Sequence, residues 1–209
     1  MYYCILTGGK SRRMGTDKAL LKFGDKFLVE LLAERFLAAG NVCISSADGH
    51  LWQDLPGRSM GLGGNIREVG DLISDIGPLG GIYSLLEVLR TDIFVMATDM
   101  PFADVRLADL IVDAGKDVAL CLLERADGRL EPLFGYYSAA CLGPVKQMIA
   151  QHHYRLSDLA ARVPSRTIHE NELADLYGSG CGEVLFNMNT PADYEEALNI
   201  FKLYSNIKK

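Results

Sequence analysis

The stretch Ile5-Leu6-Thr7-Gly8-Gly9-Lys10-Ser11-Arg12-Arg13-Met14-Gly15-Thr16-Asp17-Lys18 decides how this chain is read, because it joins an apolar strand to a loop carrying three glycines and four cationic side chains. Tyr2 to Leu6 is short, apolar and rich in strand formers. It stops at Gly8-Gly9, where a ligand can approach the backbone without meeting a Cβ. Successive amide donors, with Lys10, Arg12, Arg13 and Lys18, then offer several positive ends to a polyanion. A loop after the first strand of an open α/β sheet lies at the carboxyl edge, where such sheets collect their ligands.

Two common phosphate motifs are excluded. A P-loop requires Gly-x-x-x-x-Gly-Lys-Ser/Thr, whereas five residues separate Gly9 from Gly15 and Thr16-Asp17 follows. A dinucleotide fingerprint fails because Gly8 and Gly9 are adjacent, and because Gly61-Leu62-Gly63-Gly64-Asn65 has no third glycine at the required place and no strong strand before it.

With 209 residues, 49% of them apolar, the chain can bury a large core, and its length fits one domain spanning 1–209. A net charge of -6 argues against a basic nucleic-acid-binding surface and makes the cationic cluster near residue 10 stand out. Cys4, Cys43, Cys121, Cys141 and Cys181 are odd in number and never spaced as Cys-x-x-Cys, which indicates neither a zinc site nor a disulfide framework. No signal peptide is read at Met1-Tyr2-Tyr3-Cys4, and no apolar run approaches the length of a membrane span. The expectation is a soluble cytoplasmic protein that engages neither nucleic acid nor membrane.

Outward from the opening loop, apolar spacing predicts a helix from Phe27 to Ala39 and a strand from Asn41 to Ser45. Residues 47–76 are loop-rich, with a short strand at Asn65 to Val69. Pro78 suits the first turn of a helix that runs to Arg90, and Ile93 to Ala97 reads as a strand covered on both faces. The remaining pattern predicts helices at 107–114, 139–151, 156–162 and 192–204, with strands at 118–123, 132–137, 166–169 and 183–186. This alternation implies an α/β fold: a Rossmann-like, mostly parallel sheet flanked by helices.

Asp99 follows the buried strand, and Met100-Pro101 turns the chain away, so its carboxylate should stand at the carboxyl edge of the sheet. One or two carboxylates with phosphate oxygens and water suffice for Mg²⁺. Asn187-Met188-Asn189-Thr190-Pro191 precedes the last helix, with Thr190 placed as its N-cap and the asparagines available as oxygen donors or for Asx turns. Adjacent His152 and His153 point apart and lack a third metal ligand.

These residues resemble the molybdenum cofactor guanylyltransferases, whose signature is Leu-Ala-Gly-Gly-x-Ser-x-Arg-Met-Gly-x-Asp-Lys. The similarity continues through Asp71 with Gly77-Pro78-Leu79-Gly80-Gly81-Ile82, then Asp99-Met100-Pro101-Phe102, Glu131-Pro132-Leu133-Phe134 and Asn187 to Pro191. The resemblance implies the nucleotide-diphospho-sugar transferase type of fold, with Mg²⁺-dependent transfer of GMP from GTP to molybdopterin and release of pyrophosphate. It places Leu6, Thr7, Gly8 and Gly9 against the nucleotide, Arg12 or Arg13 and Lys18 on phosphates, and Asp99 on the metal. Asp71 falls near the nucleoside, and Asn189, with Asn187 as a further candidate, near the metal or second substrate. Arg13, Lys18 and Asp99 are then the catalytic candidates. Transient contact with other molybdenum cofactor enzymes is also implied.

Three departures bear on specificity. Thr7 replaces the usual Ala without removing a backbone donor, and Ser45 stands where some members carry Asn near the base. Gly9 occupies a position that is Ala in cytidylyl- and many sugar-nucleotidyltransferases of this fold, which favours a purine. Transfer from CTP or to a sugar phosphate is the nearest alternative. A non-catalytic nucleotide-binding module is the alternative from another class.

Overall fold

The computed structural model describes residues 1–7, 17–55, 66–178 and 181–207. The strands are β1 (Tyr2–Leu6), β2 (Lys22–Phe23), β3 (Lys26–Phe27), β4 (Asn41–Ser46), β5 (Ile66–Gly70), β6 (Ile93–Ala97), β7 (Leu120–Glu124), β8 (Leu130–Tyr137) and β9 (Ser165–His169). The helices are α1 (Leu28–Leu37), α2 (Pro78–Leu89), α3 (Val105–Gly115), α4 (Leu142–Ala150), α5 (Ala174–Tyr177), α6 (Cys181–Val184) and α7 (Pro191–Ile207).

Seven strands form one sheet in the order β5-β4-β1-β6-β8-β7-β9. All neighbouring pairs are parallel except those made by β8, which runs antiparallel to both β6 and β7. Alternation along β1 divides the core: Tyr3 and Ile5 face α1 and α3, while Cys4 and Leu6 face α2 and α4. β6 is buried along its whole length, as expected of a strand covered on both faces.

The chain leaves β1 toward β4 on one side and leaves β6 toward β7 on the other, so the connections part at the carboxyl ends of these two neighbours. That is the switch point at which open α/β sheets form ligand crevices. The Thr98 amide donates to the Leu6 carbonyl at 3.3 Å, holding the two strand ends together there.

The short strand foreseen near residue 65 is β5, and Pro78 opens α2. The strand expected over 183–186 does not form. Its first residues belong to the short helix α6, and Phe186 closes a turn by donating to the Glu183 carbonyl at 3.1 Å. An apolar run this short fits either conformation, and no neighbouring strand edge takes it up. The helix expected over 156–162 is a 3₁₀ segment, Leu156–Ala161, and that over 139–151 starts with a 3₁₀ turn before α4. The β2–β3 ribbon was not foreseen, since two residues a side leave no period to read.

Cys4, Cys43, Cys121 and Cys141 are free and buried, as expected for small core residues. Among the described residues no helix is long and apolar enough to cross a membrane.

Candidate active site

On the β4 side of the switch point, Leu6, Ser45, Ser46, Ala47, Asp71 and Gly81 lie around a cavity of about 490 Å³. Its floor is made by parallel strand ends. The Thr7 amide and hydroxyl both donate to the Ser45 carbonyl at 2.9 Å, which fixes the exit of β1 against β4. Its far wall follows β5, where the Asp71 amide donates to the Ala47 carbonyl at 3.3 Å. The Leu72 amide donates to the Ser84 hydroxyl at 2.8 Å, which ties that wall to α2.

Gly81 faces the middle of this cavity. A Cβ there would lie 3.4 Å from Ser45 Oγ, 3.4 Å from Leu6 Cδ2 and 3.7 Å from Asp71 Oδ1. Missing that methyl, the first turn of α2 leaves the serine hydroxyl and the carboxylate open to a common ligand. Ser45 is 3% exposed, and burial pushes the Asp71 carboxyl above its ordinary range.

Asp99 stands two residues past Ala97, the end of β6, which pairs with Leu6 of the cavity lining. Burial raises its carboxyl above the usual carboxylate range, while the charges of Lys18 and Arg129 pull it the other way. A desolvated carboxylate of this kind is suited to a divalent cation. Among the described residues no group of three or more His, Cys, Asp or Glu converges as a metal site. A cation here would therefore combine Asp99 with phosphate oxygens and water, the donor set Mg²⁺ prefers.

Lys18 is placed by local structure. Asp17 caps the 3₁₀ turn Lys18–Leu20 by accepting from the Ala19 amide at 2.9 Å. The Lys18 ammonium donates to Asn189 Oδ1 at 2.9 Å, and Asp99 and Asp193 oppose the burial that lowers its pKa. The structure thus brings Lys18, Asp99 and Asn189 together and sets Leu6, Thr7, Ser45 and Asp71 on the cavity side. Gly8, Gly9, Arg12 and Arg13 lie outside the described residues.

The Asn187–Asn189 segment reaches the site without sheet pairing. The Met188 amide donates to the Asp99 carbonyl at 2.8 Å, and the Met188 side chain is buried in the core. Asp193 accepts from the amides of Asn189 at 2.6 Å and Thr190 at 2.7 Å, while its own amide donates to the Thr190 hydroxyl at 3.2 Å. This is a capping box with Asp at the third position, so Thr190 is the cap that the sequence indicated.

Glu131 was legible only as part of a strand. The β6–β8 ladder ends at Met96 paired with Phe134, and beyond it Glu131 lies close enough to Asp99 to feel its charge. Burial raises the Glu131 carboxyl, and Asp99 adds to the effect; Arg129 and Arg125 oppose it. Arg125, which no motif marks, bonds to the Leu185 carbonyl at 2.9 Å.

A family model described as the MobA-like NTP transferase domain matches residues 3–167. A probable molybdenum cofactor guanylyltransferase of Pelotomaculum thermopropionicum is 31% identical, over 92% of this chain and 89% of its own length. A protein of the same description from Carboxydothermus hydrogenoformans is 29% identical over 95% of both chains. The crystal structure of molybdopterin-guanine dinucleotide biosynthesis protein A from Archaeoglobus fulgidus superposes with a TM-score of 0.80 at 22% identity, over 96% of this chain and 98% of its own.

Proposed function

This chain belongs to the MobA-like NTP transferase family, and from that premise we propose that it transfers GMP from GTP to the terminal phosphate of molybdopterin, acting as one nucleotidyltransferase unit over residues 1–209. The observation that carries this reading is the meeting of Lys18 with Asp99 past the end of β6, at the same carboxyl edge as the cavity lined by Leu6, Ser45 and Asp71. The cavity can take a nucleoside, and its phosphates then run toward Asp99 and Lys18. Support for guanine comes from the full-length similarity to proteins described as guanylyltransferases and from Gly9.

An oxygen of the acceptor phosphate attacks the α-phosphorus of GTP; that P–O bond forms while the bond to the β-phosphate oxygen breaks, and pyrophosphate leaves with the electron pair. The acceptor phosphate is already a nucleophile, so positioning and charge neutralisation carry the catalysis. Lys18, with Arg12 or Arg13, neutralises phosphate oxygens, and Asn189 orients Lys18 and the acceptor. Asp99 would hold Mg²⁺, which when bound would supply Lewis-acid neutralisation of the triphosphate. Leu6, Thr7, Gly8, Gly9, Ser45 and Asp71 hold the nucleoside.

Incubation of the protein with molybdopterin, Mg²⁺ and each NTP in turn tests the reading. GTP should release pyrophosphate and give a product with the mass of molybdopterin guanine dinucleotide. Activity with CTP and none with GTP would overturn guanylyl transfer while leaving nucleotidyl transfer in place.

A further inference from the structure

Residues 185–190 bring Asn187 and Asn189 to the site, yet they belong to no strand, and α6 before them is a single turn. Three points fix the segment at its far end: the Met188 amide on Asp99, Asn189 on Lys18, and the Asp193 cap. The near end is held by Arg125. Its Nη1 donates to the Leu185 carbonyl at 2.9 Å, and its Nε donates to Glu170 Oε2 at 3.0 Å.

Arg125 stands on a rigid platform. Its amide donates to the Arg129 carbonyl at 2.9 Å, and its carbonyl accepts from Gly128 at 2.9 Å, which closes the β7–β8 turn with Gly128 in the left-handed region. Glu170 also accepts from the Ala126 amide at 2.9 Å, so the carboxylate locks both the turn and the guanidinium. Glu131 Oε1 lies 3.8 Å from Nη1 and adds a second negative charge. The Arg125 side chain is 19% exposed, which distinguishes it from the solvated surface pairs that contribute little. A planar guanidinium spans a carboxylate and a carbonyl at once, and a lysine ammonium reproduces this poorly.

We propose that Arg125 is a positioning residue for the second substrate: it holds the chain at Leu185 so that Met188 stays on Asp99 and Asn189 meets Lys18. Met188 is only three positions after Leu185, a span of about 10 Å when fully extended, so displacement at the first reaches the second. The cavity lined by Ser45 and Asp71 lies across β6 from this clamp and shares no lining residue with it. The inference rests on the nucleotidyl-transfer reading above.

Arg125→Met keeps the aliphatic stem and removes both bonds; Arg125→Lys keeps one charge and part of the bonding. Hydrogen exchange in the full-length protein should be faster over 185–190 in Arg125→Met, intermediate in Arg125→Lys, and unchanged over β6. With GTP and molybdopterin, kcat/KM for the acceptor should fall roughly ten- to a hundredfold in Arg125→Met. Arg125→Lys should recover part of that, while GTP affinity by direct titration stays within about twofold of wild type. Should Arg125→Met fail to fold, Arg125→Lys carries the same comparison. Unchanged exchange over 185–190, unchanged acceptor kcat/KM, or a parallel loss of GTP affinity overturns the positioning role. A wild type inactive with every NTP overturns the parent reading and this role with it, whereas an active wild type with an unaffected variant overturns this role alone.

Discussion

Toward β1, β4 and β5 the site is walled by the ends of parallel strands, whose backbone hydrogen bonds set the strand edges of the cavity. Toward β8 it is closed by an irregular segment that side chains hold: Arg125 at Leu185, Lys18 at Asn189 and Asp193 at Thr190. The first arrangement tolerates changes of side chain that leave the ladder intact. The second depends on single residues far apart in sequence, so one substitution can move it. In the proposed reaction the rigid side takes the nucleoside and the side-chain-held side takes the acceptor, with Lys18 on the phosphates between them.

Asp99 stands on the border between the two, and its removal should have the largest effect. Asp99→Asn keeps the side-chain shape but loses the charge, and turnover should fall roughly 10²- to 10³-fold, as when a group that stabilises transition-state charge is lost. Pyrophosphate release at limiting Mg²⁺ measures it. Turnover close to wild type there would remove the metal role assigned to Asp99 and favour a binding module.

The neighbouring glycines of α2 sharpen the description of the nucleotide side. A Cβ at Gly80 would lie 2.8 Å from the Ile73 carbonyl oxygen and 3.0 Å from Ile76 Cγ1, with backbone that cannot swing aside. Gly80→Ala should therefore cost about 1–3 kcal/mol of stability, read as a lowered urea midpoint. At Gly81 the new methyl reaches only the cavity lining, and Ala favours a helix over Gly by up to about 1 kcal/mol. Gly81→Ala should leave stability equal or raised while KM for GTP increases several-fold, roughly what about 1 kcal/mol of lost binding gives. An unchanged KM for GTP would place the nucleoside elsewhere.

The smallest effect is expected at the cap of the acceptor-side segment. Asp193 accepts two backbone N–H groups, which hold its carboxyl below the usual range. Its folded value is thus below its unfolded value of about 3.9, so its stabilisation is present above that pH and is lost as pH falls through the folded value. The gap in melting temperature between wild type and Asp193→Asn should be open near pH 6 and close as the pH falls below the ordinary carboxylate range. A gap that persists in acid would mean that the charge is irrelevant to the cap.

The nucleotide side was the more legible of the two in the sequence. The β1 run and the Asp99 strand are local patterns of period and punctuation, and β5 was found within two residues although its surroundings offered little periodicity. Thr190-Pro191 announced the start of α7 because caps are local chemistry. The 183–186 stretch was misread as a strand, because a short apolar run does not reveal whether a partner edge awaits it. Nothing marked Arg125. An arginine beside Ala126-Asp127-Gly128 reads as a solvated turn residue, and its partners Glu170 and Leu185 lie 45 and 60 positions away.

By itself the sequence determined the alternation of strands and helices, the run of glycines and cationic residues that follows β1 along the chain, and the carboxylate placed after β6. These follow from hydrophobic period, turn chemistry and caps, all of which act over a few residues. Only the tertiary structure decided that β8 runs antiparallel beside β6, bringing Glu131 within reach of the charge of Asp99. It alone placed Asn189 on Lys18, 171 positions away, and set an arginine from the β7–β8 turn on the carbonyl of Leu185. Such pairings are fixed by how packed layers bring distant chain segments together, and no local pattern encodes them.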